Sequence, residues 1–136
     1  MSARLLQAPG LFKHTGYAYA AVSAPGSLVF PAGACPIDAD GEVVGGDNYK
    51  LQARQMMANL VTALGAAGAG LTDVLKTTIY VAAESQADLV DVWDVVHDEH
   101  FSAHEVPSTL LGVSMLGYHG QLVEIEAVAE LPAAKD

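Results

Sequence analysis

The chain has 136 residues, 51% of them apolar and 16% charged, and its sixteen acidic against six basic side chains give a formal net charge of −10. That apolar content excludes a disordered chain, and the length sets the expectation of one domain, residues 1–136, able to bury a core. The basic residues Arg4, Lys13, Lys50, Arg54, Lys76 and Lys135 form no cluster, which argues against nucleic acid and against an acidic membrane surface as partners.

No apolar run reaches the roughly 18 residues of a membrane span, and no basic-then-apolar leader opens the chain. The single Cys35 cannot form an internal disulfide. A cytoplasmic protein is expected. Cys35 itself reads as a small semi-buried residue, since no histidine near it in sequence would make it a nucleophile.

Residues 1–15 show weak periodicity and read as an N-terminal arm. Residues 17–22 and 27–32, separated by Ser23-Ala24-Pro25-Gly26, predict a hairpin. Asp38-Ala39-Asp40-Gly41 predicts a turn, because the remainder of a calcium loop and its closing Glu are missing. Asp47 is placed to cap a helix running to about residue 67, with Tyr49, Ala53, Met56, Leu60 and Leu64 on one buried stripe. Gly65-Ala66-Ala67-Gly68-Ala69-Gly70 ends it as a cap and linker, without the preceding strand of a dinucleotide loop.

Residues 76–81 read as the third strand. A second helix follows from about residue 86, with Leu89, Val92, Trp93 and Val96 inward. Residues 108–115 and 122–130 close the chain as strands around Gly117-Tyr118-His119-Gly120. The order β-β-α-β-α-β-β predicts an α+β sheet with two helices on one face.

The last strand sorts its side chains by period two. Val123, Ile125, Ala127 and Ala129 make an apolar face suited to packing under helices, while Leu122, Glu124, Glu126 and Val128 make a mixed face. Tyr17 and Tyr19 are expected on that second face too. With no second helical layer, it calls for burial by self-association. A carboxylate in its middle is either solvated or placed in a cleft for proton chemistry.

Asp38 through Gly46, Gln55, Asn59-Leu60, Ala67-Gly68, Leu71-Thr72-Asp73-Val74, Lys76-Thr77 and Val123-Glu124-Ile125-Glu126-Ala127 together resemble the reactive intermediate deaminase (Rid, or YjgF-like) family, over nearly all of residues 16–129. The resemblance implies a chorismate-mutase-like fold, assembled as a homotrimer with clefts between subunits. It further implies hydrolysis of imines and enamines released by pyridoxal-phosphate enzymes, with no metal or cofactor. Some members were historically labelled endoribonucleases, a reading that the charge balance opposes here.

In the archetype an arginine two residues after a proline binds the substrate carboxylate, and a glutamate seventeen after that proline orients water. Pro107 and Glu124 match these landmarks, but the arginine position is Thr109. Threonine donates one neutral hydrogen bond and cannot replace a bidentate guanidinium. The family's tyrosine matches Tyr17 after Gly16, its serine falls on Ala32, its helix-two asparagine on Val90 or Asp91, and its cysteine on Leu111. The resemblance is thus to a branch that keeps the fold signature and lacks most of the amino-acid-imine pocket.

Glu124 is the candidate base or water-positioning group, its alternative being a structural acid; Glu126 reads as structural. Tyr17, Tyr19, Thr109, Ser108 and Leu111 are candidate substrate contacts, or ordinary strand and interface residues. His119, in a turn beside Tyr118, is a second candidate acid. His97, His100 and His104 are spaced H-x2-H-x3-H, but the third leaves the helix. They read as solvated histidines beside Asp98 and Glu99, and no metal is expected. The expected function is hydrolysis or tautomerisation of a small imine or enamine, but not of ordinary 2-imino acids. The alternatives are a non-catalytic small-molecule-binding trimer and a dedicated biosynthetic enzyme on the same scaffold.

Overall fold

The computed structural model describes residues 4–7, 9, 16–18, 20–22 and 26–132. In chain order these form strands β1 (Arg4–Leu6), β2 (Ala20–Val22) and β3 (Gly26–Val29), helix α1 (Tyr49–Ala66), a 3-10 turn (Leu71–Asp73), strand β4 (Val74–Val81), helix α2 (Gln86–Val96) continued by a π-helical turn (His97–Phe101), and strands β5 (Ser108–Gly112) and β6 (Val123–Pro132). The main sheet is ordered β3-β6-β4-β5, with β4 and β5 parallel and the other pairs antiparallel. The α+β architecture with two helices on one face is as the sequence predicts.

The predicted pairing of the first two strands is not. β2 pairs with β1, inside the segment read as an arm, whereas β3 pairs with β6. The physical reason lies in β6, a long strand with two edges to satisfy. β4 takes one edge and β3 the other, with Gly26 opposite Pro132 and Val29 opposite Ala129. The same arithmetic shortens β5, predicted to reach 115. β4 ends at Val81 opposite Gly112, so the ladder has nothing further to pair.

Helix α1 starts one residue later than predicted. Asn48, in extended backbone, accepts a hydrogen bond from the Leu51 amide through its side chain and is the cap in place of Asp47. Its inner face buries Gln52, Ala53, Met56, Met57, Leu60 and Leu64. Against it lie Val123, Ile125, Ala127 and Ala129 of β6 and Ile79 and Val81 of β4, all buried. Each large side chain so buried contributes about 1.5–3 kcal/mol. Alternation therefore leaves Lys76, Thr78, Tyr80, Glu124, Glu126 and Val128 on the opposite face, which no helix among the described residues covers.

The Asp38 turn forms as predicted, its carboxylate accepting from the Asp40 and Glu42 amides. Among the described residues no helix is long and apolar enough to cross a membrane.

Candidate functional site

Glu124 sits half-buried on β6, and three elements converge on its carboxylate. Beyond the end of β3, Ala34 bridges Ile125 in antiparallel register, each amide donating to the other's carbonyl at 2.8 and 3.1 Å. That register sets Cys35 beside Glu124, and the Cys35 Sγ–H donates to Glu124 Oε1 at 3.3 Å. The buried Gln121 donates to the same oxygen at 3.1 Å through Nε2, which also reaches the Val123 carbonyl. Oε2 faces Gly33, where a Cβ atom would collide with the carboxylate. Glycine there gives the carboxylate its space.

The surroundings of this carboxylate are fixed by buried amides. Asn59 of α1 donates to the Cys35 and Ile37 carbonyls at 2.7 and 2.8 Å, holding the 35–37 segment. Gln52 donates to the Gly46 and Gly120 carbonyls and accepts from the Leu122 amide, clamping the loop that feeds β6. Gln121 also accepts from the Tyr118 amide at 3.0 Å. Burial first, and the adjacent Glu124 carboxylate second, push the Cys35 thiol up to about 11, so at neutral pH it is a donor and not a nucleophile.

The other predicted site residues lie elsewhere in the fold. Thr109 and Leu111 are exposed on the uncovered face of β5, and Thr109 Oγ1 accepts from Lys76 Nζ at 2.7 Å. Partial burial lowers the pKa of that ammonium. By strand spacing, Thr109 and Glu124 are roughly 12 Å apart, two strands across and two residues along. Ser108 points to the helix side, exchanging a 2.6 Å hydrogen bond with Thr77 and donating to the Val106 carbonyl.

Tyr17 is not on the uncovered face. Gly16, with φ of +82°, turns the chain, and the Ala18 amide donates to the Glu105 carbonyl. Tyr17 thereby meets Trp93 of α2 edge-on, their ring centroids 6.4 Å apart. With Ser108 and Leu110 these two rings line a cavity of about 380 Å³. Trp93 is thus half-buried at a cavity wall and not wholly inward. Tyr19 lies outside the described residues. His119, in the exposed loop before β6, lines a separate cavity of about 450 Å³ with Met115 and Tyr118.

The three helix-end histidines are each partly buried, and two of them have partners within the fold. His97 bridges Asp98 and Glu105 at 2.7 and 2.6 Å and stacks on Trp93, while His104 Nε2 sits 2.8 Å from the Val74 carbonyl. Burial opposes the charged form of His97, but the two carboxylates outweigh it and raise its pKa. Burial lowers that of His100. Among the described residues no three His, Cys, Asp or Glu side chains are grouped to hold a metal ion.

Sequence reasoning reached Glu124 but missed Gln121, Gly33 and Gln52 around it. Gln52 carried a signal, a polar residue on the helix face of Met56 and Leu60. Gln121 and Gly33 carried none.

Comparison with known proteins accords with this architecture. Residues 13–131 match the family model described as endoribonuclease L-PSP. The chain is 38% identical over 105 residues to the RutC family protein PH0854 of Pyrococcus horikoshii, covering 76% of this chain and 79% of that one. Among solved structures it is similar to YyfB of Yersinia pestis, described as a conserved Rid protein of unknown function, with a TM-score of 0.89, 30% identity, and coverage of 96% of this chain and 100% of that one. Rv2704 of Mycobacterium tuberculosis, of the YjgF/YER057c/UK114 family, gives a TM-score of 0.64 at 32% identity, with 96% and 100% covered. The chain belongs to the Rid (YjgF-like) family.

Proposed function

We propose that this protein hydrolyses small imines or enamines in clefts formed between the subunits of a homotrimer, with Glu124 as the proton-handling group. The observation that carries the reading is the asymmetry of the Glu124 carboxylate. Oε1 is engaged by Gln121 and Cys35, while Oε2 is turned toward Gly33. One oxygen is held and the other is left to take a proton.

The chemistry asks little more. A protonated imine presents an electrophilic carbon, and Glu124 accepts a proton from water as the water oxygen bonds to that carbon. Returning that proton to nitrogen frees Glu124 to take the proton of the new hydroxyl as the C=O bond forms and the C–N bond breaks, releasing ammonia and a carbonyl compound. An enamine enters by the reverse proton transfer, to its carbon. No metal or cofactor takes part in this scheme.

The roughly 12 Å between Thr109 and Glu124 exceeds the reach of a small substrate, so the β5 and β6 halves of the site are to be joined by a second copy of the chain. The uncovered sheet face, with Leu111 and Phe30 exposed on its borders, supports that association. The scattered basic residues and net charge of −10 support a small-molecule substrate over RNA.

The test is carbonyl production from freshly generated imines. Glu124→Gln keeps the shape and removes the proton acceptor, and is expected to lower turnover about 10²–10⁴-fold. Substrates derived from ordinary 2-amino acids should be turned over weakly, because Thr109 offers no bidentate cation. Full turnover by a correctly folded Glu124→Gln protein would remove Glu124 from the mechanism. Ligand binding with no turnover of any imine by the native protein would leave a binding scaffold.

A further inference from the structure

We infer that His97 is a proton-operated clasp that docks residues 16–18 against the end of α2. The clasp is closed while the imidazole carries a proton on each nitrogen and loosens when one is given up. It lies on the helix side of the sheet, on the other face from Glu124, and is independent of the hydrolase reading.

The distances to the ring require the charged form. Nδ1 lies 2.7 Å from a carboxylate oxygen of Asp98, and Nε2 lies 2.6 Å from one of Glu105. An ionised carboxylate only accepts, so both ring nitrogens must donate, and the imidazolium alone has two N–H groups. In the neutral ring one nitrogen turns a lone pair toward a carboxylate. One contact is then lost, together with the positive charge that draws in both acids.

Among the described residues, Asp98 of the π-helical turn and Glu105 of the segment before β5 are the charged groups that face the ring. From α2 the ring meets the indole of Trp93, and from the 16–18 segment it meets Gly16. Burial works against the charge, and the two carboxylates outweigh it, so the ring keeps its proton to above the ordinary 6.5. Burial lowers the pKa of the nearby His100, which is therefore neutral before His97 titrates.

The same cluster holds residues 16–18. Ala18 is 2% exposed, and its amide donates to the Glu105 carbonyl at 2.6 Å. Glu105 thus grips the imidazole with its side chain and the segment with its backbone. Gly16 lies against both rings, where a Cβ would stand 3.4 Å from Trp93 Cζ2 and 3.5 Å from His97 Cδ2 and Nε2. Tyr17, between them, forms one wall of the cavity it shares with Trp93, Ser108 and Leu110. Loosening Glu105 loosens that wall, so access to the cavity increases as pH rises through the folded pKa of His97.

The experiment uses the full-length protein between pH 6 and pH 9. NMR gives the amide protection of Ala18, each exchange rate being compared with the intrinsic rate at the same pH. Acrylamide quenching of Trp93, the single tryptophan, reports access to the cavity wall. Native protection is expected to fall about two- to fivefold from pH 6 to pH 9, the worth of a partly exposed ion pair, while quenching increases. His97→Gln should give the lower protection at both pH values. Should His97→Gln fold poorly, Glu105→Gln keeps the shape and the backbone carbonyl, and should lower protection at pH 6 alike. Native protection and quenching unchanged across the range would overturn the clasp. So would the same fall with pH in His97→Gln, or native protection at pH 6 in Glu105→Gln.

Discussion

At the scale of single residues, the Glu124 neighbourhood makes Cys35 a reporter of its own environment. Its thiol is pushed up to about 11 from 9.0 by burial and by the carboxylate it donates to. Two pKa units lower the thiolate fraction at neutral pH about a hundredfold, and the thiolate is the reactive species. Alkylation by iodoacetamide at pH 8 is therefore expected to be slower than for a free thiol by a factor on the order of 100. Glu124→Gln should speed it, since the negative charge disfavouring the thiolate is gone. The measurement is a mass-shift time course on the folded protein. A native rate equal to that of the urea-unfolded chain would show that Sγ is neither buried nor paired with Glu124.

At the scale of elements, the end of α2 is tied to the strand β5 segment through His97. The imidazole bridges Asp98 in the π-helical turn and Glu105 ahead of β5, and lies flat against Trp93 with an interplanar angle of 18°. Its folded pKa is raised above 6.5, the ordinary value. A raised folded pKa means the folded state holds the proton more tightly. The stabilisation is thus fully present below about pH 6.5 and is lost as pH rises through the folded value. His97→Gln should cost about 1 kcal/mol or less at pH 6 and still less at pH 9, read from urea unfolding at the two pH values. A larger loss at pH 9 would contradict the assignment. This bridge was illegible in the sequence, where 97, 100 and 104 suggested only a histidine run beside acids. Glu105 becomes a partner only after the chain turns back toward β5. Period-two alternation did reveal which face of β6 is buried, because each neighbour on the strand reports the same face. The Lys76–Thr109 contact depends on a parallel register between residues 33 positions apart, and no local pattern encodes that. Tyr17 was misplaced for a similar reason, since the turn at Gly16 takes it off the strand and onto Trp93.

At the scale of the whole molecule, the two halves of the proposed site belong to different strands and are held too far apart to serve one small substrate within a chain. If a neighbouring copy closes the gap, two differently damaged chains should repair one another. Glu124→Gln spoils the β6 half and Thr109→Asp the β5 half, and each variant alone should be inactive. After subunit exchange in an equal mixture, a cleft is intact when its β6 half comes from a Thr109→Asp chain and its β5 half from a Glu124→Gln chain. Random assortment makes that about one cleft in four, so activity should return to about a quarter of native. Light scattering on the same samples must give three chains per particle, against a chain mass of 14.1 kDa. Recovery at that level places the chemistry between subunits. A mixture that stays inactive while exchange is verified by mass would put both halves in one chain, and a particle of one chain that retains activity would dispense with the clefts altogether.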